Sequence, residues 1–199
     1  MELYLIRHGK TIWNAENRLQ GRTDIELNEE GIAAAKELGE KLKNIPFDVI
    51  YSSPLKRAFN TAELIRGARN IEIIKDDRLR EISFGIYDGA YYKDWLAPDC
   101  PYRFFFNEPE KYFPPEKGES IEECCTRTKD FIQSVIEPLA QKNIERVMIV
   151  AHGALNASIS CYLEKRDKRN FWGKGLQKNC EEIIYSFDGT NWTISEPGK

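Results

Sequence analysis

The chain has 199 residues, of which 41% are hydrophobic and 31% charged, and its formal net charge is -3. This length and composition predict a globular protein with one large domain or two small ones. Its 29 basic and 32 acidic residues are mixed along the chain, which excludes a basic stripe for nucleic acid or for an anionic membrane. We find no secretory leader and no apolar run of about 18 residues, so we expect a cytoplasmic protein without a membrane anchor. The oligomeric state stays open.

Five cysteines and two histidines bear on metal and redox chemistry. The number of cysteines is odd and none of them has CxxC spacing, which argues against a zinc site and against a disulfide framework. We therefore expect neither a metal nor another cofactor.

Short apolar or alternating runs predict strands at residues 3–6, 48–51, 71–74, 146–151, 181–187 and 192–194. The last two flank Asp188 and Gly189 and predict a closing hairpin. Helical spacing of apolar residues predicts helices from Asn28 to about residue 44, from Pro54 to Arg66, over 121–139 and over 154–163. Pro54 would occupy a first helical position after a serine cap. Ser120 and Glu123 have the spacing of a capping box.

Two long segments lack a regular period. Residues 12–25 are polar and predict a loop, whereas residues 79–118 are rich in aromatic side chains and proline. A loop of the second length is unusual unless it packs on the core, so we expect a small aromatic cap at about residues 86–118. The alternation of strands and helices predicts a single α/β domain over residues 1–199. Its architecture would be a three-layer sandwich, with a mostly parallel central sheet and helices on both faces.

Both histidines occupy similar positions in this pattern. His8 and His152 each follow a buried run and precede a glycine. If the two strands are parallel neighbours, their carboxyl ends lie side by side and both imidazoles reach one pocket near helix N-termini. Arg7 stands beside His8, and Arg57 falls in the first turn of the helix after Pro54. Helical side chains lean toward their own N-terminus, so Arg57 would reach the same sheet edge. Together these groups predict a site for a phosphate-like anion.

The motifs around these residues resemble those of the histidine phosphatase superfamily, in its phosphoglycerate mutase-like branch, and the resemblance covers nearly the whole chain. They are Leu5-Ile6-Arg7-His8-Gly9-Lys10-Thr11 with Asn14, Arg18-Leu19-Gln20-Gly21-Arg22-Thr23-Asp24, Tyr51-Ser52-Ser53-Pro54-Leu55-Lys56-Arg57-Ala58, Leu79-Arg80-Glu81-Ile82 with Phe84-Gly85, Gly118-Glu119-Ser120, and Val150-Ala151-His152-Gly153. The segment from Phe84 to Gly89 looks most like small phosphatases that act on α-ribazole phosphate or on broad sets of phosphomonoesters.

The resemblance implies a role for each matching position. His8 would be the nucleophile that becomes phosphohistidine, and Glu81 would be the general acid and base. Arg7, Arg57 and His152 would hold the phosphoryl oxygens. Further hydrogen bonds to phosphate or substrate would come from Thr11, Asn14, Gln20, Gly21 and Gly153.

The chemistry of phosphoryl transfer requires residues of these types. Transfer to a nitrogen nucleophile spreads negative charge over three equatorial oxygens, which two guanidinium groups and an imidazolium can stabilise without a metal. His8 must be neutral to attack, and the guanidinium groups beside it disfavour its protonation. Glu81 must carry a proton to release an alcohol, and its carboxylate would then activate the water that hydrolyses the phosphoenzyme. The predicted activity is metal-independent hydrolysis of a small-molecule phosphomonoester.

Two alternatives remain. A cofactor-dependent phosphoglycerate mutase would share this core, but such enzymes carry a longer insertion with cations that grip a second phosphate, where this chain has many aromatic residues around Arg103. A non-catalytic binding module would lack at least one of the five core groups, and all five are present. The aromatic cap would suit an apolar or ring-bearing alcohol, or it would be a folded lid that does not touch substrate.

Overall fold

A computed structural model of the chain describes residues 1–195. The last four residues of the predicted domain, 196–199, lie outside the described residues. Within residues 1–195 six strands form one sheet: β1 (Glu2–Arg7), β2 (Val49–Ser52), β3 (Ile73–Lys75), β4 (Arg146–Ala151), β5 (Glu182–Phe187) and β6 (Trp192–Ile194). The α-helices are α1 (Ile12–Ala15), α2 (Glu29–Lys41), α3 (Lys56–Arg66), α4 (Tyr92–Trp95), α5 (Phe104–Asn107), α6 (Ile121–Phe131) and α7 (Gly153–Leu163).

The strand order is β3-β2-β4-β1-β5-β6. Strands β3, β2, β4 and β1 are parallel, and the hairpin of β5 and β6 adds two antiparallel strands at one side. The sheet and its flanking helices confirm the predicted α/β class. The pairing of β1 with β4 fixes the site, because Arg7 lies opposite Ala151 in register and the residues that follow both strands emerge at one edge.

Helices cover both faces of the sheet, as the alternation of strands and helices predicts. On one face Leu3 and Leu5 of β1 belong to a buried cluster with residues of α6 and α7, and on the other Tyr4 and Ile6 pack with residues of α2 and α3. Successive side chains of a strand point to opposite faces, so an uninterrupted apolar run serves both layers.

The structure differs from the prediction at α1 and at the start of α3. The polar loop contains α1, a single turn that Thr11 caps through its hydroxyl. Helix α3 begins two residues after Pro54, because the backbone of Ser53 still donates to Val150 in the sheet, and Asp24 rather than a serine accepts from the N–H of Lys56. These changes leave Arg57 in the first turn of α3.

The long helix predicted over 121–139 changes its hydrogen bonding partway along. Helix α6 is followed by a π-helical turn at Ile132–Ile136 and a 3₁₀ segment at Glu137–Lys142. Pro138 has no N–H to donate, so a regular α-helix cannot continue past it unchanged. The capping box of Ser120 and Glu123 is present as predicted.

Aromatic side chains from the segment after Glu81 pack on one another and on the chain near α7. Trp95, Phe105 and Tyr112 are almost fully buried. Edge-to-face contacts join Phe105 to Phe84 and to Trp172, whose indole N–H donates to the carbonyl of Phe105. Such pairs add roughly 0.5–1.5 kcal/mol beyond the area they bury. The segment is thereby fixed beside the sheet edge at which β1 and β4 end.

Among residues 1–195 none of the helices combines the length and the apolar character that crossing a membrane requires. All five cysteines carry free thiols.

Candidate active site

A cavity of about 240 Å³ opens at the carboxyl ends of β1 and β4. Its lining combines most of the polar residues of the predicted site, but not Thr11 or His152, with aromatic side chains. Lining residues are Arg7, His8, Asn14, Asn17, Arg18, Leu19, Gln20, Gly21, Arg57, Glu81, Phe84, Tyr92, Phe105, Phe106, Gly153, Ala154, Trp172 and Leu176.

His8 presents one ring nitrogen to this cavity. Its Nδ1 lies 2.7 Å from the carbonyl oxygen of Gly9, so Nδ1 carries the proton and donates it there, leaving the lone pair of Nε2 uncommitted. The ring is 2% exposed. Burial, then the charges of Arg57 and Arg7, hold the pKa of His8 well below the 6.5 of a free imidazole. His8 is therefore a neutral imidazole at pH 7, the form that can act as a nucleophile.

Arg57 and His152 form a buried pair behind it. The Nε of Arg57 donates to Nδ1 of His152 over 3.2 Å, while its terminal nitrogens donate to the carbonyls of Thr23 and Gly21, each over 2.7 Å. These three bonds leave two of the five guanidinium N–H groups for a ligand. Burial lowers the pKa of Arg57 to about 10, with Glu81 opposing the shift, so the group stays cationic at pH 7.

His152 is a hydrogen-bond donor in its neutral form. Because Nδ1 accepts from Arg57, the proton sits on Nε2, which is buried and has no partner within residues 1–195. The imidazole rings of His8 and His152 are 5.2 Å apart. Burial and the charge of Arg57 hold the pKa of His152 well below 6.5. The sequence predicts an imidazolium at His152. In the free site His152 is instead a neutral imidazole that offers an N–H donor.

Arg7 supplies the second guanidinium. It is held by the segment before β5, which contains none of the sequence motifs. One terminal nitrogen of Arg7 donates to the carbonyl of Gln177 over 2.6 Å, and its buried Nε has no partner in the described part of the chain. Gln177 is itself fixed by Asn156 and by the carbonyl of Leu5. The side chain of Asn179 donates to the carbonyl of His8. The segment before β5 therefore orients both cavity residues at the end of β1.

The other predicted ligands divide into lining and supporting residues. Asn14, Gln20, Gly21 and Gly153 line the cavity, whereas Thr11 is fully buried and is not among the lining residues. The hydroxyl of Thr11 lies 3.1 Å from Oδ1 of Asn14 and 3.0 Å from Oε1 of Gln20. Thr11 thus holds two of the side chains that face the cavity.

Glu81 lies at the N-terminus of α7. Its carboxylate accepts from the backbone N–H groups of Ala154, Leu155 and Ile82, over 3.2, 3.0 and 2.9 Å. Two of these N–H groups belong to the first turn of a helix, where backbone donors lack intrahelical partners and favour an anion. Glu81 also lines the cavity beside the two guanidinium groups, as its predicted role requires.

Sequence reasoning missed several lining residues. Trp172 and Leu176 come from the segment before β5, and their only sequence signal is the glycines at 173 and 175, both with positive φ. Arg18 also lines the cavity, with its guanidinium 4.4 Å from the ring centre of Trp13 and paired with Glu16. Arg103 is not a lining residue; it donates to carbonyls of its own segment.

The two buried histidines predict how stability depends on pH. Below pH 6.5 the unfolded chain protonates both imidazoles, whereas the folded chain does not, because both folded pKa values are well below 6.5. The contribution of these two imidazoles to the free energy of unfolding therefore falls as the pH falls below 6.5 and is nearly constant above it. Between pH 8 and pH 5.5 we expect a loss of about 1.4 kcal/mol for each imidazole, measurable by urea unfolding.

A His152→Asn variant is the matched control, since it removes one imidazole. Its loss over the same pH interval should be about half that of the unchanged protein. A flat profile between pH 8 and pH 5.5, or equal losses in both proteins, would contradict the assignment of two neutral histidines.

Comparisons with known proteins identify the family of this chain. The profile of the "Histidine phosphatase superfamily (branch 1)" matches residues 3–198. "Phosphoserine phosphatase 1" of Hydrogenobacter thermophilus is 35% identical over 193 residues, covering 96% of this chain and 89% of that protein. A "2,3-bisphosphoglycerate-dependent phosphoglycerate mutase" of Parvibaculum lavamentivorans is 31% identical, covering 94% of this chain and 90% of that protein.

The fold also matches a solved structure. "Bacillus stearothermophilus YhfR" superimposes with a TM-score of 0.89 and 32% identity, covering 99% of this chain and 96% of that one. These matches extend over almost the full length of both chains in each comparison. The resemblance found in the motifs is thereby confirmed: the chain belongs to the histidine phosphatase superfamily (branch 1) and is a phosphatase of that family.

Proposed function

We propose that this phosphatase hydrolyses small-molecule phosphomonoesters without a metal, through a phosphohistidine at Nε2 of His8. One observation carries the proposal: a buried, neutral imidazole with a free Nε2 faces a cavity that two guanidinium groups also line. The nucleophile and the positive charge needed by the transition state therefore come from fixed side chains.

In the first step Nε2 of His8 attacks phosphorus, the N–P bond forms and the bond from phosphorus to the ester oxygen breaks. The free N–H groups of Arg57 and Arg7 and the Nε2–H of His152 would hold the three equatorial oxygens. The negative charge of the bound phosphate opposes the three N–H donors and favours the protonated form of Glu81 in the complex. Glu81 then gives its proton to the leaving oxygen, which departs as an alcohol.

In the second step the phosphoenzyme is hydrolysed. The carboxylate of Glu81 takes a proton from water, the water oxygen bonds to phosphorus, and the N–P bond breaks. Inorganic phosphate leaves, His8 returns to its neutral form and Glu81 is protonated again. The same carboxyl group serves both steps because it lies beside the cavity at the start of α7.

The aromatic walls of the cavity favour a substrate with an apolar or ring-bearing alcohol portion. Phe84, Tyr92, Phe105, Phe106 and Trp172 all line it. The name of the Hydrogenobacter relative indicates a small polar alcohol, serine, as the competing substrate class. A test of substrate preference therefore needs esters of both classes.

Phosphoryl transfer between substrate oxygens, as in a mutase, is the second candidate, because a relative named as a mutase is 31% identical. Such transfer needs cations for a second phosphate. Within residues 1–195, Arg18 is the one further cation that lines this cavity beyond Arg7 and Arg57, and its guanidinium stacks on Trp13 and pairs with Glu16. We therefore favour water as the acceptor.

The test is turnover of a phosphomonoester panel in the presence of a metal chelator. The panel contains aryl phosphates, phosphoserine, and 3-phosphoglycerate with its bisphosphate cofactor. We expect phosphate release that persists under chelation, with the highest kcat/KM for the esters of apolar or ring-bearing alcohols. Interconversion of phosphoglycerates without net phosphate release would favour the mutase, and loss of turnover on chelation would contradict a metal-independent mechanism.

A further inference from the structure

The segment that carries Glu81 is held by side chains from outside it. The guanidinium of Arg127, on α6, donates from one terminal nitrogen to the carbonyls of Arg78 and Arg80, over 2.5 and 2.7 Å. This segment lies outside the sheet, so these carbonyls have no partner strand. One buried side chain thus supplies the donors that a neighbouring strand would otherwise provide.

Glu119 fixes the orientation of that guanidinium. Its two carboxylate oxygens accept from Nε and from a terminal nitrogen of Arg127, over 2.6 and 2.8 Å. The side chains of Arg127 and Glu119 are only 16% and 10% exposed. A two-point contact between a planar guanidinium and a carboxylate sets both distance and angle, which a single contact does not.

Arg22 extends this network to the phosphate end of the cavity. Its Nε donates to the carbonyl of Glu81 over 3.3 Å and a terminal nitrogen donates to Glu119 over 3.2 Å. The preceding residue, Gly21, lines the cavity and accepts from Arg57 through its carbonyl. The segment of Gly21 and Arg22, which contacts Arg57, is therefore hydrogen-bonded to the backbone of Glu81.

We propose that Arg127, Glu119 and Arg22 are positioning residues for the Glu81 carboxyl group, setting its place relative to the ester oxygen. The inference rests on the proposed function, in which Glu81 protonates the leaving alcohol. None of the three is among the residues that line the cavity, so they act through the backbone of residues 78–81. A shift of the carboxyl group by about 1 Å can cost about 10²-fold in rate.

The test uses Arg127→Lys, which keeps the positive charge but loses the planar two-point contact. The measured quantity is kcat/KM, which reports steps up to the transfer onto His8, for an alkyl phosphate and for p-nitrophenyl phosphate. We expect kcat/KM to fall by about 10- to 100-fold for the alkyl ester. For the nitrophenyl ester we expect a fall of less than about 3-fold, because nitrophenolate departs without being protonated. Arg80→Gln is the matched control, because Arg80 is a cation of the same segment and, in the described part of the chain, its side chain pairs only with Asp77.

Equal losses on both esters in Arg127→Lys, or no loss on either, would overturn the positioning role. If Arg127→Lys fails to fold, Arg22→Gln replaces it, since the side chain of Arg22 is 43% exposed, and a smaller selective loss on the alkyl ester is expected. Failure of the proposed function is recognised separately, as absence of turnover in the unchanged protein or as equal losses on both esters in Glu81→Gln.

Discussion

Replacement of His8 by asparagine is expected to lower phosphatase turnover by about 10⁴-fold or more, because the nucleophile of the proposed mechanism is lost. Asparagine retains polarity at the site and removes the ring nitrogen that faces the cavity. The neutral state of His8 makes the effect large at pH 7, since nearly every molecule carries the reactive form. Steady-state turnover of p-nitrophenyl phosphate measures the loss.

A direct readout accompanies the rate. Rapid mixing of the unchanged protein with substrate, followed by an alkaline quench and mass spectrometry, should show one added phosphoryl group on the peptide that contains His8. His152→Asn is the matched control, because it removes the other imidazole at the same sheet edge and should still form this adduct, more slowly. Retained turnover in His8→Asn, or an adduct on His152, would refute the assignment of the nucleophile.

Glu81→Gln is expected to separate substrates by their leaving groups. For alkyl phosphates kcat/KM should fall by about 10²- to 10⁴-fold, the usual contribution of general acid catalysis, because the amide cannot protonate the departing oxygen. For p-nitrophenyl phosphate the fall should be less than about 10-fold. Hydrolysis of the phosphoenzyme also loses its base, so the variant should release a burst of nitrophenol and then turn over slowly.

The isosteric change should leave α7 in place. The remaining carbonyl oxygen of glutamine can still accept from one or two of the three backbone N–H groups that the carboxylate of Glu81 accepts from. We expect a loss of about 1–2 kcal/mol in the free energy of unfolding. Equal losses of kcat/KM on both kinds of ester, without a burst, would remove Glu81 from the acid and base roles.

Much of the site is local in the sequence and could be predicted from it. His8 and His152 each follow an apolar run that serves two buried faces, and a parallel pairing of those runs was the one assumption needed to bring them together. Register confirms that pairing, with Arg7 opposite Ala151. Arg7 ends β1 and Arg57 lies in the first turn of α3, which places both cations at the same edge.

The predicted cap of α3 is wrong because the acceptor comes from a distant segment. The sequence offers Ser53 as a cap for α3, but the acceptor is Asp24, from a loop 32 positions earlier. Local propensity does not distinguish competing partners for a backbone group when the better one arrives by tertiary packing. Helix α1 differs, because it depends on a local contact in which Thr11 and Asn14 satisfy each other's backbone N–H groups.

By itself the sequence determined most of the strand and helix pattern, the family, and most of the polar groups that line the cavity. Only the tertiary structure decided how those groups are held. The carbonyl of Gln177 fixes Arg7 from 170 positions away, and Arg127 fixes the segment of Glu81 from α6. The physical reason is that periodicity reports which side chains are buried, whereas hydrogen-bond partners of buried polar groups depend on which distant segments meet.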